Sequence, residues 1–158
     1  MQDRCRISAP PAPVVITTNG GHPLDQNIYQ AVKSMTAAEA LVRPGGVIVA
    51  LARAGDGHGG QAFFDQMRSP DLDAVNRAFH TRAPEQTQPD QWQSQIFIRV
   101  LKKARVVLVS DAPEAMVRAM HMIPAKTAQE GYRIARTLCG PQAQALVIPD
   151  GVSVIAQA

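Results

Sequence analysis

The sequence predicts a three-layer α/β sandwich with a mainly parallel sheet. Three observations carry this: four short apolar runs rich in β-branched residues, helix-patterned stretches between them, and Gly or Pro at their boundaries. The runs are Val14–Thr17, Gly46–Leu51, Val106–Val109 and Ala145–Ile148. Each is apolar along its length rather than alternating, the pattern of strands buried on both faces. The helices between them supply the crossovers that parallel neighbours need. The sheet expected is therefore Rossmann-like, in a single domain spanning 1–158.

Residues 1–12, with Pro10 and Pro11, read as an irregular leader. After the first strand, residues 25–42 place Ile28, Val32 and Met35 at i, i+4 and i+7, a helical stripe with Asp25 as the expected N-cap. Thr36 to Glu39 then offers a cap for a second short helix. After the second strand, 61–68 and 71–80 read as helices divided by Pro70. Residues 81–90 are polar and proline-bearing, a surface loop. Gln91–Lys103 is the clearest helix, with Trp92, Ile96 and Val100, flanked by Phe97 and Leu101, as its apolar face. Pro113–Met120 and Thr127–Leu138 complete the helices, the second closed by Gly140.

The composition narrows the function. Hydrophobic residues make up 46% of the chain and charged residues 18%, enough to build a core and too little charge for a disordered tail. Sixteen Lys and Arg against thirteen Asp and Glu leave a net +3, scattered with no basic stripe, and aromatic residues are only 4%. That disfavours nucleic acid as a partner. Cys5 and Cys139 are far apart and lack metal-ligand spacing, so a reducing compartment is expected. No signal-peptide core precedes Pro13, and the longest apolar run, 45–52, is too short to cross a bilayer. A soluble, cytoplasmic protein without a membrane partner is the expectation.

In an open parallel sheet, ligands sit beyond the carboxyl ends of the strands. Two glycine-rich segments leave those ends here. One holds Asn19, Gly20, Gly21 and His22; the other holds Asp56, Gly57, His58 and Gly59. Such loops bring backbone amides to a ligand, and a following helix N-terminus favours a carboxylate or phosphate. Neither loop has the GxGxxG or Walker spacing, so tight turning alone explains them equally well. Gln30 and Lys33 lie one turn apart on a face distinct from the apolar stripe, where they form either a solvated surface or a cradle for a small acid. By pattern alone, Trp92 belongs to the core, His121 packs near a strand end, His80 is exposed, and His22 and His58 are hydrogen-bonded loop residues rather than metal ligands. Cys139 reads as a packed thiol.

The blocks VVITTNGGHPLDQNIYQAVKSMTAAEALVRPGGVIVALARAGDGHGG, PDQWQSQI, VSDA, MHMIPAKT and VIPDGVSVI, in that order, resemble the C-terminal domain of the nickel-dependent lactate racemase family across Pro13–Ile155. The resemblance implies a two-domain enzyme that interconverts stereoisomers of a 2-hydroxy acid with a nickel-pincer nucleotide, in a cleft between its domains. It also implies that the acid and base histidines, the pincer-bearing lysine and the nickel ligand belong to the N-terminal domain. No catalytic or metal residue is then expected in this chain, no cofactor is expected on this domain alone, and its partners are that N-terminal domain and a small 2-hydroxy acid. The family's glutamine and lysine near the substrate fall on Gln30 and Lys33 of YQAVK, and its cleft tryptophan on Trp92. On residues alone, a stand-alone module binding a small organic acid or phosphate is the alternative.

Overall fold

The structure is a computed structural model that describes residues 5–158. In chain order the elements are β1 (Arg6–Ser8), β2 (Ala12–Thr18), α1 (Ile28–Leu41), β3 (Val42–Leu51), α2 (Gln61–Met67), α3 (Leu72–Thr81), α4 (Gln91–Lys103), β4 (Arg105–Val109), α5 (Glu114–Ala119), β5 (Ile123–Ala125), α6 (Ala128–Cys139), β6 (Ala145–Ile148) and β7 (Ile155–Gln157). Five strands form one wholly parallel sheet in the order β5-β4-β3-β2-β6. The four apolar runs supply β2, β3, β4 and β6, and helices lie on both faces as the sandwich requires.

Alternation along the strands divides the core. Val15, Ile48, Ala50, Val106 and Leu108 point to the side of α1 and α4, where Phe63, Phe97, Met35 and Met120 fill the larger core. Val14, Val47, Val49 and Val107 point to the other side, covered by α6. Gly131 lets α6 approach closely, because a Cβ there would stand 2.8 Å from Val49 Cγ1.

The boundaries correct several expectations. Arg6–Ser8 is not irregular: it pairs in parallel with Ile155–Gln157 as a separate two-stranded sheet, a long-range pairing that three-residue segments do not announce. Residues 1–4 of the expected leader lie outside the described residues. Asn27, not Asp25, caps α1, its Oδ1 accepting from Gln30 N at 3.0 Å. Asp25 instead holds the second glycine loop, its carbonyl accepting from Ala54 N at 2.7 Å and its carboxylate from Arg53 N at 3.3 Å. Thr36 starts no second helix. Nothing between 28 and 41 breaks α1, and the Thr36 hydroxyl donates back to Lys33 O at 2.7 Å.

Helix α4 has the expected ends, and Ile96, Phe97, Val100 and Leu101 pack on the core as expected, but the inward face is shifted at its start. Gln93, Ser94, Phe97, Ile98 and Val100 are buried, while Trp92 is 54% exposed. His121 is exposed at φ 62, its Nε2 2.9 Å from Ser69 O, rather than packed. Cys139 packs beside the α6-side core with its thiol 3.4 Å from Pro13 O, and both cysteines are free. Among the described residues no helix is long and apolar enough to cross a membrane.

Candidate functional site

The two glycine loops are joined at the start of α1. The amides of Ile28 and Tyr29 donate to the carbonyls of Gly57 (2.9 Å) and His58 (3.1 Å), and Gln30 N donates to the Asn27 cap. Ala31 N takes the ordinary helical bond to Asn27 O at 3.1 Å. The amides of Ile28, Tyr29 and Gln30, three of those that a helix start leaves free, are thus spent inside the protein. The expectation that an anion is held by the helix start after the first loop finds these three donors engaged, two by the second loop and one by the Asn27 cap.

The glycines serve that junction. Gly59 sits at φ 91, and a Cβ on it would meet Asn27 Oδ1 at 2.6 Å and Tyr29 Cβ at 2.8 Å. Gly57 is also left-handed, at φ 72. In the first loop Gly20 and Gly21 are left-handed and exposed. Asn19 is fully buried, accepting from Ser34 N at 3.1 Å and donating to Leu24 O. It staples the loop to α1 and presents no group to a ligand, which corrects its place among the cleft residues.

The expected site residues divide between separate hollows. Gly21 lines a polar cleft of about 480 Å³ at the carboxyl ends of β2, β3 and β4, together with Arg53, Asp111 and Lys126. His22 and Asp56 line a smaller one of about 190 Å³. Lys33 and Trp92 both line a groove of about 310 Å³ between α1, α4 and the β6–β7 loop. Gln30 lies one turn before Lys33. Its Oε1 is buried without a hydrogen-bond partner, and His58 Nδ1 shares that condition. Those two atoms are the described buried side-chain polar atoms left without partners. An orphaned buried acceptor is costly and marks a place where a donor is wanted.

Tyr29 connects these parts. Its amide is held by His58 O, and its ring meets Trp92 edge-on at 6.0 Å and Phe63 at 5.3 Å. The His58 ring stacks on Phe64 at 4.8 Å. Burial, followed by the neighbouring Asp90 carboxylate, pushes the Tyr29 hydroxyl above its ordinary pKa, so it stays protonated. Gly60 admits that carboxylate, since a Cβ there would stand 2.8 Å from Asp90 Oδ2. The groove's far wall is the 150–154 turn. Asp150 Oδ1 accepts from Val152 N at 3.0 Å, and Gly151 N donates to Thr18 O at 3.0 Å. Gly151 is tight against Thr17 and Ser34, with Ser34 Cβ 2.9 Å from where its own Cβ would be. Sequence reasoning missed Tyr29, Asp90 and this wall; the usable signal was DGV between two apolar runs.

The lactate racemase C-terminal domain model matches residues 7–156. This chain belongs to that family. It is 46% identical over 151 residues to the lactate racemase of Thermoanaerobacterium thermosaccharolyticum, covering 94% of this chain and 35% of that protein. It is also 46% identical over 145 residues to the lactate racemase of Lactiplantibacillus plantarum, covering 90% of this chain and 34% of that protein. The chain thus spans about a third of the length of the curated relatives it matches. The solved lactate racemase apoprotein of T. thermosaccharolyticum superposes with a TM-score of 0.96 at 43% identity, over 99% of this chain and 38% of that one. A Thermotoga maritima structure shares the fold alone, with a TM-score of 0.57 at 12% identity.

Within this lactate racemase C-terminal domain, the described residues contain no group of three or more His, Cys, Asp or Glu side chains placed to hold a metal ion. These residues do not fit a nickel site. What the groove offers is a cation and an aromatic wall, with the Gln30 carboxamide one turn from the cation.

Proposed function

We propose that this chain, as one domain, closes the reaction cleft of a nickel-pincer-dependent 2-hydroxy acid racemase or epimerase, working in the cytoplasm beside an N-terminal racemase domain. The observation that carries the proposal is that Lys33 and Trp92 line one groove, with the unpartnered Gln30 Oε1 one turn away. Lys33 is exposed and neutralises the substrate carboxylate as it leaves water. The Gln30 oxygen, buried in this chain alone, turns toward the groove on closure and accepts a hydrogen bond from the substrate hydroxyl. Trp92 covers the apolar side and keeps water from the reacting carbon. The glycine loops give this wall its shape by gripping the start of α1. Redox and proton-transfer groups are assigned to the N-terminal domain.

The proposal is tested by mixing this chain with an N-terminal racemase domain carrying the pincer cofactor and following D- and L-lactate by chiral chromatography. Turnover is expected in the mixture and not from this chain alone, and Lys33→Ala is expected to diminish it. Racemisation by the lone chain, or full activity in Lys33→Ala, overturns the assignment. The alternative of a stand-alone phosphate or organic-acid module would rest on the polar cleft with Arg53 and Lys126 and not on the amides of Ile28, Tyr29 and Gln30, which are engaged.

A further inference from the structure

Gln93 is 1% exposed, on the inward face of α4 beside Trp92. Its Nε2 donates to the carbonyl of Tyr29 at 2.6 Å. In an α-helix that carbonyl also accepts the amide of the residue four positions on, which in α1 is Lys33. One oxygen therefore joins the backbone of Lys33 to the turn that carries Trp92. A carboxamide is an expensive choice at a helix–helix contact, where an aliphatic side chain of similar volume would bury more apolar surface without desolvating an amide. Apolar contact is non-directional and lets two helices slide; a short hydrogen bond fixes one atom against another.

We infer that Gln93 is a positioning residue, whose bond to Tyr29 O sets the spacing of Trp92 from Lys33 across the groove. This inference rests on the functional reading above for its catalytic consequence, and on the geometry alone for its structural one. Tyr29 completes the link, because its ring is the surface on which Trp92 leans. The neighbouring Ser94 provides the internal comparison: it is equally buried, but its hydroxyl donates to Gln66 Oε1 of α2 at 2.6 Å, away from α1.

Trp92 is the single tryptophan, so its fluorescence reports one position. In the full chain, Gln93→Met is expected to add a fast, large-amplitude component to the Trp92 anisotropy decay and to raise acrylamide quenching. Ser94→Ala is expected to lower the unfolding midpoint and leave both signals unchanged. In the mixture with the N-terminal domain, Gln93→Met is expected to lower kcat/KM for lactate about tenfold, while Ser94→Ala spares it. If Gln93→Met fails to fold, Gln93→Glu keeps the shape, removes the donor, and is read the same way. An unchanged Trp92 decay in the folded Gln93 variant, or an equal change in Ser94→Ala, overturns the inference. The fluorescence needs no turnover, so normal activity of Lys33→Ala would sink the functional reading while leaving the Trp92 result standing.

Discussion

Gly59→Ala tests the grip of the second glycine loop on α1. Two costs apply. At φ 91, an alanine pays about 1–2 kcal/mol for a left-handed backbone. Its Cβ would also stand 2.6 Å from Asn27 Oδ1, the oxygen that caps Gln30 N, so the cap must move at about 1 kcal/mol. The sum is about 2–3 kcal/mol, which for a domain of this size lowers Tm by about 4–12 °C. Gly21→Ala isolates the first cost: its φ is 76, and nothing lies within 4 Å of the added carbon. Urea and thermal unfolding followed by circular dichroism compare the two variants, with an unchanged m-value confirming that only stability moved. Gly59→Ala should be the weaker protein by the cap's share. If it is no less stable than Gly21→Ala, the loop does not lean on the Asn27 cap and the account of this junction is wrong.

Arg99 holds Glu39 by paired hydrogen bonds of 2.8 and 2.7 Å, with the Glu39 side chain 12% exposed and the Arg99 head in solvent. Arg99→Ala strands that carboxylate and is expected to cost about 1–3 kcal/mol in urea unfolding, with solvent around the guanidinium favouring the lower end; removing both partners should cost less than removing Arg99 alone, and the reverse order would refute the pairing. Asp150 is held below its ordinary 3.8 by the Ser153 hydroxyl and then by the Val152 amide. Its contribution is therefore present above 3.8 and is lost as pH falls through the folded value; Asp150→Asn should remove that part of the acid dependence, measured between roughly pH 5 and pH 2. In isothermal calorimetry of the chain with inorganic phosphate, any heat should be insensitive to changes in the 57–60 loop, because the amides of Ile28, Tyr29 and Gln30 are engaged; saturable binding lost on changing that loop would contradict this.

Much of the fold was legible. The four apolar runs became strands of one parallel sheet, and Gln91–Lys103 was placed to the residue. The parts that escaped are those whose signal is not local. β1 and β7 are three residues each and exist only because they meet. The Asn27 cap was passed over for Asp25, two residues earlier, because both are good caps and only the approach of the 54–59 loop gives Asp25 other work. At the site, Gln30, Lys33 and Trp92 came from motif resemblance; spacing on one helix face could not separate a cradle from a wetted surface. Gly21, His22 and Asp56, grouped with them by loop chemistry, line other hollows, since glycine reports backbone freedom and not direction.

What the sequence determined by itself is the layering: apolar runs of strand length must be buried on both faces, and the stretches between them are periodic enough to be helices. Which side of α4 turns inward was decided only by the tertiary structure. Gln93 and Ser94 look like surface residues until Tyr29 O and Gln66 Oε1 are brought to them from distant segments. Burying a polar side chain becomes tolerable once such partners exist, and with that face taken, Trp92 is left standing at the groove.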